Sequence, residues 1–244
     1  MAGPTVEVEP PVRVAREGGL STVATYRPNQ RLAASDALVF QSDGCTFPQE
    51  TVIACIDSTP AQPKTFDGIS IDGAIGAPFA LYGGVSCFAG PDDDYSAQAR
   101  RILEDGRDRA VEGKLQVWAD GGDAVPSTGG VVGAIAEIEQ ALDAGYVGRG
   151  VILMSRADAL RAAAAGAIEK TGDTLYTKLG TPVIASGSVA SGTVYGLGSI
   201  TVDESTLNEY ETINPQNNRR YALAEAAYAV LVDCEFRIKS AVAA

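Results

Sequence analysis

The chain has 244 residues, 45% of them hydrophobic, and a formal net charge of −12; that length can bury a real core as one domain or two. The acidic balance argues against a nucleic-acid ligand, which needs clustered Lys and Arg, and the absence of histidine removes Ser-His-Asp and Cys-His nucleophiles and imidazole metal ligands. The four cysteines, Cys45, Cys55, Cys87 and Cys234, show no CxxC spacing, so zinc-ribbon and thioredoxin chemistry drop out and buried free thiols are the default, with a disulfide between any pair left open.

The first residues, "MAGPTVEVEPPVRVAREGG", lack the apolar core of a signal peptide, and no apolar run reaches the ~18 residues of a membrane span, so the chain is expected to be made and kept in the cytosol or in something assembled there. Residues 1–35 are rich in Pro and Gly and offer no stretch that could bury itself, which predicts an arm that orders only against a partner subunit, with Val6, Val8, Val12 and Val14 available to dock. In "ALVFQSDGCTFPQETVIACID" two β-rich runs flank Asp43-Gly44 and predict a hairpin-like excursion, followed by the loop "STPAQPKTFDG". Ile75 to Cys87, "IGAPFALYGGVSC", predicts a buried strand.

"DDDYSAQARRILEDGRDRAVEGKLQVW" predicts one long helix, since Tyr95, Ala99, Ile102, Gly106, Ala110, Gly113 and Val117 recur every three or four residues, with Leu103, Leu115 and Trp118 widening the stripe. Asp92, Asp93 and Asp94 are N-cap candidates. Arg100 with Glu104, Arg101 with Asp105, and Asp105 with Arg109 have the spacing of intrahelical ion pairs. At 1.5 Å per residue such a helix runs roughly 40 Å.

After the loop "ADGGDAVPSTGG", the chain alternates a helix over about 131–144, a strand in "GVILMS", a short helix over about 157–168 and strands in "LYTKLGTPVIAS", the pattern of a compact α/β lobe. "GTVYGLGSITVDES" and "YAVLVDCEFRIKSAV" predict strands. In the second, Val230, Val232, Cys234, Phe236 and Ile238 alternate with Leu231, Asp233, Glu235, Arg237 and Lys239, as in one half-buried strand lying in the sheet that the long helix covers.

Candidate chemistry fades when its partners are sought. "GLGSIT" has two of the three glycines of a dinucleotide fingerprint without the βαβ context, and Lys170-Thr171 lacks a phosphate-loop order. "DDDY" lacks the Gly and later Glu of a calcium loop. Glu137 with Glu139, and Asp203 with Glu204, are carboxylate pairs that nothing gathers into a pocket. "SGSVASG" lacks the Gly-x-Ser-x-Gly elbow and is expected to be a flexible loop tip. No catalytic, metal or cofactor-binding residue is assigned.

The order of these elements, with "PFALYGGVSC", "YSAQARRILEDGRDRAVEGKLQVW", "LGTPVIAS" and "NNRRYALAEAAYAVLVDCEFRIKSAV", resembles a tailed-bacteriophage major capsid protein of the Hong Kong 97 type, in particular those of actinobacteriophages. The same fold is used by encapsulin nanocompartments. The resemblance implies an α+β fold with an N-terminal arm (1–35), an E-loop (36–70), a peripheral domain with a spine helix (71–123), an axial α/β domain (124–199) and return strands of the peripheral domain (200–244). It implies a structural protein, not an enzyme, without cofactors, whose main partner is itself, in hexamers and pentamers of an icosahedral shell. The shell would enclose DNA without sequence-specific binding and without a membrane. Separate scaffold, portal and decoration proteins are the further partners it suggests, the virion is the expected location, and the host bacterial cytoplasm is the place of assembly. "SGSVASG" is expected near a symmetry axis at a capsomer centre. No long helical segment precedes the arm, so a fused scaffold is not expected. Lys64 and Asn208, Asn214, Asn217 and Asn218 supply residue types for a cross-link, whose pairing the sequence leaves open. The alternatives are an encapsulin-like shell storing a protein cargo and, third, a small α/β enzyme.

Overall fold

A computed structural model describes residues 11, 13, 16–42, 44–48, 73–88, 94–127 and 129–242. In chain order the elements are β1 (Thr25–Pro28), β2 (Leu38–Gln41), β3 (Gly73–Gly76), β4 (Phe79–Phe88), α1 (Tyr95–Ala119), β5 (Asp123–Val125), α2 (Gly130–Gly145), β6 (Val151–Ser155), α3 (Arg156–Ala164), β7 (Ile168–Thr171), β8 (Thr174–Thr177), β9 (Pro182–Ser186), β10 (Thr193–Leu197), β11 (Ile200–Glu204), β12 (Asn208–Asn214), β13 (Arg219–Val232) and β14 (Arg237–Ala241). They form a smaller sheet of β1, β4, β11, β12 and β13, a larger sheet in the order β5-β14-β10-β6-β9-β8-β7, and a ribbon of β2 and β3. The result is the α+β architecture expected from the sequence.

The larger sheet is built around the parallel pair β6 and β9, every residue of which is buried. Apolar runs such as "VILMS" suit strands covered on both sides. On one side α2 presents Val131, Ala134, Ile135, Ile138 and Leu142, at helical spacing, to Ile152, Met154, Val183 and Val194. On the other, Leu153, Ile184 and Tyr195 share a core with Leu115 and Ala119 of α1. Helix α3 stops at Ala164, shorter than its Ala-rich run suggests, because Gly166 takes a left-handed φ of 77° and the Ala167 N–H turns back to the Ala162 carbonyl at 2.9 Å. Ile168, expected in that helix, opens strand β7.

Helix α1, 25 residues and about 37 Å long, spans both sheets. Asp94 caps it, accepting from the Ala97 N–H at 2.8 Å; Asp92 and Asp93 lie outside the described residues. Its N-terminal half lies on the smaller sheet, where β13 offers Ala222, Ala224 and Ala226 and β4 offers Gly83. A Cβ on Gly83 would stand 2.5 Å from the Ala99 carbonyl oxygen, so the close approach requires glycine there. The buried stripe is Tyr95, Ala99, Leu103, Val111, Leu115 and Ala119, with Glu112 beside it. Tyr95, Ala99, Leu103 and Leu115 are buried as expected, but the stripe is rotated away from the rest of the expected face: Ile102 and Val117 are exposed, as is Gly106. Small residues at 106, 110 and 113 fit either face, so spacing alone did not fix the rotation.

Two further expectations are corrected, and a third falls largely outside the described residues. The run from Val230 to Ile238 is not one strand: Cys234 and Glu235 adopt left-handed φ values of 56° and 47°, which break it into β13 in the smaller sheet and β14 in the larger one. Strand β2 pairs with β3, residue 38 opposite residue 76, and most of the second run expected past Asp43-Gly44 lies outside the described residues. The segment Ile75 to Cys87 is not a single buried strand but the end of β3 followed by β4, which alternates between the two faces of its sheet.

Candidate assembly interface

Helix α1 carries Asp105, Asp108 and Glu112 in one line, and the N-terminal segment lies along it. Arg13 donates to Asp105 at 2.5 Å. Asp108 accepts from the Ser21 N–H at 3.1 Å and the Tyr26 hydroxyl at 2.8 Å. Glu112 is wholly buried, paired with Arg16, accepting from the Leu20 N–H at 2.8 Å and from the Ser186 hydroxyl of β9. A buried carboxylate is tolerable only with its oxygens engaged in this way. Burial opposes charge on Asp108, but the Ser21 N–H, the Tyr26 hydroxyl and Arg107 together hold its carboxyl below the usual range. Tyr26 is pushed well above the ordinary tyrosine value, first by burial and then by the Asp108 charge, so its hydroxyl stays a donor.

The intrahelical ion pairs suggested by spacing are not the ones that carry these charges. Arg100 forks onto Glu209 of β12 at 2.8 and 3.0 Å, Arg107 reaches Glu204 of β11 at 3.5 Å, and Asp105 holds Arg13. The charged side of the helix thus fastens other segments of the chain. Residues 16–35 dock on the chain's own fold, against expectation: Leu20 and Leu32 are fully buried and β1 pairs in parallel with β11. Two isolated leucines among polar neighbours give no period to read. Val6, Val8, Val12 and Val14, expected to dock on a neighbour, lie outside the described residues.

"SGSVASG" is not a free tip. Ser186 is buried against Glu112, the Ser188 hydroxyl donates to the Arg109 carbonyl at 2.8 Å, and Val189 is in the core of α1. Nearby, Asp158 is a second buried carboxylate, accepting from the Ser155 hydroxyl at 2.7 Å, the Ser191 hydroxyl and the Gly192 N–H each at 2.9 Å, and Arg161 at 2.6 Å. Against the penalty of burial, those donors hold its carboxyl below the usual range.

The carboxylate pairs from the sequence do not converge. Asp203 is buried and held by Arg27 at 2.7 Å and Asn29 at 2.8 Å, while Glu204 accepts from Tyr228 at 2.9 Å. Glu139 accepts from Thr177 and, at 2.8 Å, Thr181, at the edge of an open cleft of about 760 Å³ that Val132, Ile135 and Tyr146 also line; Glu137 does not line it. Lys170 pairs with Glu17. Gly198 of "GLGSIT" is a packing glycine, since a Cβ there would stand 2.4 Å from the Asp233 carbonyl. Among the described residues no cluster of His, Cys, Asp and Glu is arranged to hold a metal ion, and no helix is long and apolar enough to cross a membrane. Asn208 and Asn214 lie on β12, Asn217 and Asn218 in the turn before β13, and Lys64 outside the described residues.

Some of what one chain leaves uncovered is apolar. The face of the smaller sheet turned away from α1 exposes Tyr82 and Phe88 of β4, Tyr210 of β12 and Tyr221 of β13, with Tyr82 72% exposed. On the ribbon Val39 and Ile75 stand opposite one another, 75% and 65% exposed, and Phe47 follows. Exposed aromatics on one sheet face and a bare apolar pair on a two-stranded ribbon make these surfaces candidates for contact with another protein.

The ribbon is rooted at the link between the two sheets. Cys45 is bonded to Cys234, against the expectation of free thiols, and Cys87 is free; Cys55 lies outside the described residues. The Ser42 hydroxyl accepts from the Cys234 N–H at 2.8 Å, and Glu235 accepts from the Ile75 N–H at 3.2 Å. A pairing across 189 residues leaves no local signal in the sequence.

No family model and no curated protein matches the chain. Solved structures do match in fold. The capsid of the native GTA particle is 12% identical with a TM-score of 0.63, over 100% of this chain and 96% of that one. A structure of Mycobacterium phage Che8 is 12% identical with a TM-score of 0.56, over 97% and 96%. The holo-SrpI encapsulin complex from Synechococcus elongatus PCC 7942 is 12% identical with a TM-score of 0.60, over 99% and 92%. The chain therefore has the capsid-type fold that its sequence resembles, along its whole length.

Proposed function

We propose that this chain is the major shell subunit of a tailed double-stranded DNA bacteriophage, assembling with itself into hexamers and pentamers of an icosahedral head. The observation that carries the reading is a fold shared with shell proteins from end to end, on a chain whose exposed surfaces include an aromatic sheet face and an apolar ribbon. The residues 1–35, 36–70, 71–123, 124–199 and 200–244 act in this reading as arm, E-loop, peripheral domain, axial domain and return strands, with strand β14 completing the axial sheet. The protein works by geometry and not by catalysis: its buried carboxylates are held by donors within the fold, where they fix the relation of arm, spine and lobe.

A net charge of −12 suits a container wall, because an acidic surface does not hold the DNA it encloses. Assembly takes place in the host bacterial cytoplasm, with separate scaffold, portal and decoration proteins as further partners, and the shell ends in the virion. The likeness to an encapsulin supports a second reading, a compartment around a protein cargo.

Negative-stain microscopy and size analysis of the purified chain, with the contents of particles from the native source identified, separate these readings. Closed shells holding DNA are expected. Shells holding one folded protein cargo would favour the compartment, and a monodisperse monomer under all assembly conditions would contradict both.

A further inference from the structure

We infer that Cys45 and Cys234 form a redox-set lock on the root of the ribbon, open while the chain is in a reducing compartment and closed by thiol–disulfide exchange once the assembled particle leaves it. This rests on the shell reading for its timing, but the lock itself is a property of one subunit.

The placement of the two cysteines carries the inference. Cys234 sits in the left-handed turn that joins the smaller sheet to the larger one, and Cys45 lies four residues past the end of β2. Their bond connects the segment entering the excursion to the turn where the chain passes from the smaller sheet to the larger one, although they are 189 residues apart in sequence. The joint does not depend on that bond alone. Ser42, the residue after β2, accepts from the Cys234 N–H and Glu235 accepts from the Ile75 N–H of β3, so both sides of the ribbon are tied to the turn by hydrogen bonds. With thiols at both positions these weaker ties keep the two sulfurs in reach while leaving the ribbon free to pivot. With the disulfide in place, the pivot is removed.

Both cysteines are only half-buried, so a small oxidant can reach them. In a reducing cytoplasm they are held as thiols. Outside, one cysteine thiolate attacks a low-molecular-weight disulfide and expels a thiolate. The second attacks the mixed disulfide and expels the other, so the protein loses two electrons and two protons and the small disulfide becomes two thiols. The chain can thus assemble with an adjustable ribbon and stiffen afterwards.

The test uses the full chain equilibrated in oxidised or reduced glutathione, with amide hydrogen exchange followed on Leu38–Gln41 and Gly73–Gly76 against Val151–Ser155 as an internal standard. Reduction is expected to speed exchange on the ribbon by roughly tenfold or more and to leave the standard unchanged. Cys45→Ser should exchange at the fast rate in both buffers, and the double variant Cys55→Ser, Cys87→Ser should keep the full response. A ribbon indifferent to the buffer, or a response that survives in Cys45→Ser, would overturn the lock. Particles, where they form, should survive heating longer when oxidised. Equal heat tolerance would remove the shell part of the inference, while failure to form particles in either buffer would count against the shell reading and leave the exchange result to decide the lock.

Discussion

The two sheets of this molecule solve the problem of covering their faces in different ways. The centre of the larger sheet is covered within the chain: α2 lies on one face, the C-terminal half of α1 on the other, and β6 and β9 have no exposed residue between them. The smaller sheet is half finished. Helix α1 covers one face, while the other shows Tyr82, Phe88, Tyr210 and Tyr221 to solvent, and β12 is exposed along six of its seven residues. The same helix serves both, so the difference lies in what a single chain supplies. One sheet is covered at its centre by the chain itself, and the other leaves an aromatic face bare, the face that the proposed shell would cover with another copy.

That contrast can be broken first in the cores. Leu103→Asp buries an unpaired charge on the stripe that α1 presents and should cost about 3 kcal/mol or more, whereas Ile102→Asp, one residue away on the exposed side, should cost no more than about 1 kcal/mol. Urea midpoints of the two variants decide it, and equal losses would return the helix to the rotation that its spacing suggests. Leu153→Ala, in the doubly covered strand β6, should lose about 2–5 kcal/mol. Tyr82→Ser on the open face should change subunit stability by only about 0.5 kcal/mol while lowering the yield of closed particles.

Glu112 sharpens the comparison, because it joins arm, spine and larger sheet. Glu112→Gln keeps the shape but weakens the acceptor for Arg16, the Leu20 N–H and Ser186, and should cost about 1–3 kcal/mol in thermal or chemical unfolding. Its effect should reach the N-terminal segment, seen as faster proteolysis near Arg16, before it reaches β6. The smallest effect is in acid. Asp108 and Asp158 have folded values below the ordinary carboxylate range, so each adds stability above its unfolded value that is lost as pH falls through the lower, folded one. Stability should therefore decline between about pH 5 and pH 2, and Asp158→Asn should flatten that slope.

Much of this was legible in the sequence, for physical reasons that also mark where reading stopped. The α/β lobe could be read because β6, α2 and β9 are apolar runs of the right lengths. The long helix was legible in extent but not in rotation: Gly106, Ala110 and Gly113 fit either face, Ile102 and Val117 spoke for one and Leu103 and Leu115 for the other, and the buried Glu112 counted against the true one. The alternation from Val230 to Ile238 spoke for a strand, but the two left-handed residues that split it are not of the types that announce a turn. The arm's anchors, Leu20 and Leu32, are single residues without periodicity, and the partners of Glu112 come from segments 92 and 74 residues away. Long-range pairings of that kind, like Cys45 with Cys234, depend on the finished fold.

The central claim is that the smaller sheet is finished only between subunits. Hydroxyl-radical footprinting of dispersed subunits and of assembled particles, read at Tyr82, Phe88, Tyr210 and Tyr221 and at buried Met154 as reference, tests it directly. The account predicts that the four aromatics are oxidised readily in the subunit and become protected in the particle, while Met154 is protected in both. Equal oxidation of the four in particle and subunit would contradict it.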